Sequence, residues 1–161
     1  MIKYVKGNLF DYLNDNMLIV HSCNCKGVWG SGFAKQMKEK FPLAFNKYER
    51  TCKEFTSGIL LGFPLIISNE DHKDTLTVCL MVSDGYGKYV DSPASIKNYT
   101  LKALRELLDS ISRDSKISII SPKFNSGLFN VPWNETEEIL NNVLNEYKDK
   151  KQIEWTVVTE Q

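Results

Sequence analysis

The sequence is poor in histidine, carries no surplus of either charge and has no long apolar run. Its 161 residues include two histidines and four cysteines, and 20 Lys+Arg stand against 20 Asp+Glu. Charge balance argues against long nucleic acid as a partner, because displacing phosphate counterions takes a surplus of Lys and Arg. No stretch approaches the ~18 apolar residues that cross a bilayer, so no membrane partner is expected. The start, Met1 to Val5, lacks the basic-then-apolar pattern of a secretory signal, which makes a cytoplasmic home and reduced thiols the expectation. The only close cysteine pair is Cys23-x-Cys25, and with His21 and His72 the sole histidines the spacing offers no four-ligand zinc set, so neither metal nor cofactor is expected. None of Cys23, Cys25, Cys52 and Cys79 is followed six positions later by arginine, which excludes the phosphatase loop built on a cysteine nucleophile.

What is present alternates between two periods. Lys3–Lys6 and the continuous run Met17–Ser22 read as strands, the second buried on both faces. Phe33, Met37 and Phe41 recur every fourth residue among Lys35, Lys38, Glu39 and Lys40, a helix with one buried stripe and a solvated lysine face that Pro42 ends. A second helical stretch covers Leu43–Phe55. Ile59–Ser68 and Thr75–Ser83 read as a β-hairpin around the charged turn 69–74. Ser92-Pro93 is an N-cap followed by proline at the first helical position, and Ile96, Leu104, Leu107, Leu108 and Ile111 give that helix its apolar face. Ile117–Ser121 is a short strand, Pro132 opens a helix with Glu135, Glu137 and Glu138 near its start, and Ile153–Thr159 closes the chain as a strand. The pattern predicts one α/β domain over residues 1–161, a mixed central sheet with helices on both faces.

In such sheets ligands lie beyond the carboxyl ends of strands. Two strand-to-helix loops stand out. Cys23–Ser31 carries Gly27 and Gly30 and runs through Gly32 into a helix whose first N–H groups are unpaired; Pro122–Pro132 carries Asn125, Ser126 and Gly127 at its turn. Both have the makings of an anion cradle, and side by side they suit a diphosphate flanked by sugars. Gly30-Ser-Gly32 lacks the third glycine of a dinucleotide fingerprint.

Tyr4-Val-Lys-Gly-Asn-Leu9, His21-Ser-Cys-Asn-Cys25, Trp29-Gly-Ser-Gly-Phe-Ala34, Ser95-Ile-Lys-Asn-Tyr-Thr100 and Asn125-Ser-Gly-Leu-Phe-Asn-Val-Pro-Trp133 appear in that order. Together they resemble the macrodomains, the ADP-ribose-binding fold, and within that group the yeast-type ADP-ribose 1''-phosphate phosphatases. The resemblance implies a three-layer fold and a small-molecule substrate derived from ADP-ribose. It places Asn8 on the adenine amino group, with the backbone of Gly7 and Leu9 nearby. It places Asn24 on the distal ribose beside Ser22 and Cys23, wraps that ribose and the diphosphate with Trp29, Gly30, Ser31, Gly32, Phe33 and Ala34, and makes Asn125, Ser126, Gly127, Leu128, Phe129 and Asn130 the second phosphate loop.

The implied reaction is metal-independent hydrolysis of a phosphomonoester. His21, Asn24 and Asp84 are the catalytic candidates: His21 as acid, base or nucleophile because imidazole is the side chain suited to proton transfer at neutral pH, Asn24 as the group holding the ribose, and Asp84 as general base. The competing reading of His21 is a structural side chain at the sheet end, and that of Asp84 a solvated turn aspartate. Lys88 is read as attracting phosphate and His72 as facing solvent. Cys23 and Cys25 are read as small loop residues, Cys79 as core, and Trp133 and Trp155 as packing residues. Related macrodomains that remove ADP-ribose from glutamate resemble this chain less: where they carry a lysine after the central strand and an aspartate in the second phosphate loop, Asp84 and Phe129 stand here. A non-catalytic ADP-ribose-binding module and an ADP-ribosyl hydrolase remain the alternatives, and a monomer is expected.

Overall fold

The computed structural model describes residues 2–70, 72, 74–111 and 116–160. Its elements in chain order are β1 (Ile2–Lys6), β2 (Met17–Asn24), α1 (Gly32–Lys40), α2 (Pro42–Glu54), the short α3 (Ser57–Leu60), β3 (Pro64–Ser68), β4 (Thr75–Ser83), α4 (Pro93–Ser110), β5 (Lys116–Ser121), α5 (Trp133–Tyr147) and β6 (Gln152–Thr159). Six strands form one sheet in the order β1-β6-β5-β2-β4-β3, parallel throughout except for β3, which pairs antiparallel with β4.

Two-residue alternation divides the core. Val20, Val78, Leu80, Val82, Ile119, Trp155 and Val157 face α4 and α5; Met17, Ile19, Cys23, Cys79, Met81, Ile120 and Val158 face α1, α2 and α3. The sheet therefore lies between two helical layers, and burial of both faces explains the near-continuous apolar reading of β2 and β4. Helix α4 starts as its sequence predicts, with Ser92 Oγ accepting from Ser95 N–H at 3.2 Å and Pro93 opening the first turn. Pro42 both ends α1 and begins α2. Trp155 is fully buried on β6 with its Nε1 donating to Ser121 Oγ at 2.9 Å, and Trp133 Nε1 donates to Tyr4 Oη at 3.0 Å, so both act as packing residues with a satisfied polar end.

The structure departs from two local expectations. Ile59–Leu61 is no part of a strand: α3 covers Ser57–Leu60, and the strand begins only at Pro64. Cys23 and Asn24 are strand rather than loop, because β2 runs on past Ser22 beside β4, with a register shift between Cys23 and Asn24. In the charged turn after β3, Asn69 is buried, donating to Thr75 Oγ1 at 3.0 Å and accepting from Thr77 Oγ1 at 2.7 Å; residues 71 and 73 of that turn lie outside the described residues.

The chain runs from β4 through α4 to β5, passing from one side of β2 to the other. That reversal leaves the carboxyl ends of β2 and β5 side by side with their loops diverging, the place where open α/β sheets form a crevice.

Candidate active site

A cavity of about 720 Å³ opens at those strand ends, lined by His21 to Asn24, Val28 to Ala34, Pro122 to Phe129, Tyr86, Gly87, Val90 and the end of β6. The volume lies within the roughly 300–1,000 Å³ usual for small-ligand sites. A second cavity of about 480 Å³ adjoins it, lined by Gly7, Asn8, Leu9, Asp11 and Gln36, and the two share Phe33, Pro122, Val158 and Glu160 as walls. The two predicted loops and the predicted adenine-side residues thus meet in one continuous groove.

The first loop is shaped by Asn24. Its Oδ1 accepts from Lys26 N–H at 3.0 Å and Val28 N–H at 3.4 Å, its Nδ2 donates to Val28 carbonyl at 2.8 Å, and Tyr48 Oη bridges Asn24 carbonyl at 2.6 Å and Oδ1 at 3.1 Å. These bonds make Asn24 the organiser of the loop after β2 and leave one of its amide hydrogens over. Gly27 at φ +77° lets the loop turn, and Gly32 at φ +58° starts α1. Ser31 caps α1 without a side-chain hydrogen bond, so the first N–H groups of that nine-residue helix, on cavity-lining Gly32, Phe33 and Ala34, have no partner within the helix. An anion would find both donors and the positive helix end there.

The second loop is shaped by Asn125, which has φ +70° and is only 2% exposed. Its side chain points inward: Oδ1 accepts from Ser22 Oγ at 2.5 Å and Nδ2 donates to Thr100 Oγ1 at 3.0 Å and Thr136 Oγ1 at 3.3 Å. Asn125 therefore joins β2, α4 and α5 beneath the loop, leaving the loop backbone to meet a ligand. Gly127 has neither a positive φ nor a neighbour within 4 Å of the position a Cβ would take. Nothing in the protein around Gly127 requires glycine there, and its backbone is open to the cavity it lines.

His21 sits at the cavity floor, 2% exposed, with its ring edge-on to Trp29 at 4.9 Å and to Phe33 at 5.6 Å between centroids. Asp84 does not line either cavity; its Oδ1 faces Lys26 Nζ at 3.2 Å, a charge contact without hydrogen-bond geometry. Asp84 follows Ser83, the residue that pairs with Asn24 at the end of β4. Lys88 is exposed beside Tyr89 and lines neither cavity, and His72 is exposed as expected. Asn8 lines the smaller cavity, where its Oδ1 accepts from Phe10 N–H at 3.0 Å and caps a short 3-10 turn, leaving its amide hydrogens for a ligand. Cys25 is held by burial as a thiol, its pKa raised to about 12, in keeping with an unreactive role.

Asp11, Tyr86, Lys123 and Glu160 line the groove and were not among the predicted residues. The rule that ligands gather at strand carboxyl ends, applied to β1, β4 and β6 as well as β2 and β5, finds all of them. Lys123 and Glu160 are the only Lys, Arg, Asp or Glu side chains lining the larger cavity among the described residues. Recognition of an anion there falls to backbone N–H groups, which a protein with balanced charge can supply.

An α/β sandwich with a groove across the ends of β2 and β5, built from two asparagine-held loops, belongs to the class of open-sheet domains that take ligands at strand carboxyl ends. The comparisons make it particular. Residues 20–140 match the Macro domain family model, and the chain belongs to that family. It is 35% identical over 161 residues to an ADP-ribose 1''-phosphate phosphatase of Saccharomyces cerevisiae, covering 86% of this chain and 90% of that one. It is 37% identical over 163 residues to a protein of the same name from Candida glabrata, again covering 86% and 90%. Among solved structures, the macrodomain of Mycobacterium tuberculosis DarG superposes with a TM-score of 0.76 at 22% identity, over 99% of this chain and 97% of that one. Thermosipho africanus DarTG in complex with ADP-ribose superposes with a TM-score of 0.74 at 18% identity, over 98% of this chain and 41% of that one. These likenesses establish the macrodomain fold. No helix among the described residues is long and apolar enough to cross a membrane.

Proposed function

We propose that this protein is an ADP-ribose 1''-phosphate phosphatase that releases inorganic phosphate and ADP-ribose. The observation that carries the reading is the agreement of relatives with that name across nearly the whole chain, at 34 to 37% identity for those from S. cerevisiae, Candida albicans and C. glabrata. The groove fits the substrate class. Adenine occupies the smaller cavity beside Asn8 and Phe33, the diphosphate lies between Gly127 and the start of α1, and the distal ribose reaches the loop held by Asn24.

In this arrangement catalysis rests on positioning and on donors aimed at the phosphate oxygens. His21, which lines the cavity, transfers a proton to the departing sugar oxygen or from the attacking water, and Asp84 is the second candidate for that role. The reaction needs no metal. The second loop, Pro122 to Pro132, contains no carboxylate and carries Phe129 on the cavity wall, which favours phosphate release over removal of ADP-ribose from glutamate.

The test is phosphate release from ADP-ribose 1''-phosphate with EDTA present, run beside ADP-ribose release from a modified protein and a modified oligonucleotide. Phosphate release in EDTA supports the reading. ADP-ribose binding without turnover leaves a binding module, and release of ADP-ribose from a macromolecule gives the activity to the alternative hydrolase.

A further inference from the structure

His21 and Cys23 on β2 and Cys79 and Met81 on β4 form a two-by-two block. In the parallel pairing His21 stands opposite Cys79 and Cys23 opposite Met81, and odd-numbered residues of both strands share the face toward α1 and α2. All four are buried, and their donors are an imidazole, two thiols and a thioether. The potential ligand atoms of His21, Cys23 and Cys79 lie within 4.8 Å of one another, and Cys23 Sγ is 3.7 Å from each ring nitrogen of His21. Sequence spacing concealed the cluster because Cys79 arrives on another strand.

We propose that His21, Cys23 and Cys79 bind a thiolate-seeking closed-shell cation, zinc(II) or copper(I), at the floor of the substrate groove. The donor set suits this chemistry: thiolate and imidazole are zinc ligands, and thiolate with thioether in the same row favours copper(I). A tetrahedral site with ordinary bond lengths needs sulfur and nitrogen roughly 3.6 Å apart and two sulfurs roughly 3.8 Å apart. The first separation is already present, the others close by no more than about 1 Å, and the His21 ring, with both nitrogens equidistant from Cys23 Sγ, turns to aim one nitrogen lone pair at the ion. Access comes through the groove, whose lining includes His21 and Cys23.

Charge accounts for the selectivity. In the metal-free protein burial keeps Cys23 as a neutral thiol. Zinc(II) binding displaces a proton from each of Cys23 and Cys79 and leaves a neutral complex with the uncharged imidazole; copper(I) does so on displacing one proton. No electron is transferred. Hard cations such as magnesium gain nothing from sulfur donors and are excluded. A cation there holds the nitrogen of His21 that proton transfer requires, so occupancy inhibits turnover.

The test uses purified full-length protein under anaerobic reducing conditions. Cobalt(II) replaces zinc and reports thiolate ligation by a near-ultraviolet charge-transfer band; copper(I) is offered in competition with a chromogenic chelator. The expected result is one equivalent of either ion bound, with affinity roughly 100-fold or more weaker in Cys79→Ser, since even outer-sphere partners of metal ligands are worth that much. Cys79→Ala repeats the measurement, and thermal melting shows that both variants fold. Binding of one ion alone identifies which the site prefers and supports the proposal. No charge-transfer band together with no retained copper, or binding unchanged in both Cys79 variants, overturns it. Phosphate release titrated with zinc reads the inhibition: wild-type turnover falls and that of Cys79→Ser does not. Because cobalt and copper binding are read without turnover, a protein that binds the ions yet releases no phosphate separates the fate of this site from that of the proposed function.

Discussion

The two loops that form the groove are each held by one asparagine, but they are held differently. Asn24 bonds mostly within its own loop, to residues two and four positions on, with Tyr48 of α2 as its one distant partner. The Asn125 side chain makes no bond within its own loop; its three hydroxyl partners come from β2, α4 and α5, and only its carbonyl bonds locally, to Val131 N–H. The loop after β2 carries its own shape, whereas the loop after β5 takes its shape from the assembled fold. A phosphate site made from both is therefore complete only when the two helical layers have closed on the sheet.

The sharpest way to break this contrast is Asn125→Ala, which takes the hydrogen-bond partner from the hydroxyls of Ser22 and Thr136, removes one donor from Thr100, whose hydroxyl keeps the Ile96 carbonyl, and places alanine at a positive φ. It is expected to lower stability by about 3 kcal/mol, read by urea denaturation. A loss below about 1 kcal/mol would show that the second loop holds itself. Next in size is His21→Asn, expected to reduce turnover by roughly 100-fold with ADP-ribose affinity little changed, measured by phosphate release beside calorimetric titration. Equal losses in both would return His21 to a structural role. Gly127→Val places a side chain where the protein has open space, so stability should move by no more than about 0.5 kcal/mol while ADP-ribose affinity falls roughly tenfold. Unchanged affinity would move the diphosphate away from that loop. The mildest change is Tyr48→Phe, which removes the one distant hydroxyl from Asn24 and is expected to cost about 1 kcal/mol of stability, because the local bonds of that loop remain. A larger loss than that of Asn125→Ala would invert the comparison.

Much of the architecture was legible because it depends on local pattern. The alternation that divides the core between two helical layers, the Ser92-Pro93 start of α4 and the proline between α1 and α2 all lie within a few residues of their cause. Ile59–Leu61 misled because a short apolar run has no period long enough to separate a helical turn from a strand. The site was legible as two loops but not as roles. Asn125 occupies the predicted position, yet its side chain turns away from the groove to meet Thr100 and Thr136, contacts set by helix packing. Asp84 suits proton transfer from its place after β4, and its pairing with Lys26 is a tertiary fact. The meeting of His21 with Cys79 depends on strand register, which no spacing within β2 can reveal.

The most direct trial of the central claim is phosphorus NMR of ADP-ribose 1''-phosphate incubated with the protein and EDTA. The account predicts that the monoester resonance is replaced by inorganic phosphate while the diphosphate resonances become those of intact ADP-ribose. Persistence of the monoester under conditions where ADP-ribose binds, or cleavage of the diphosphate, would contradict it.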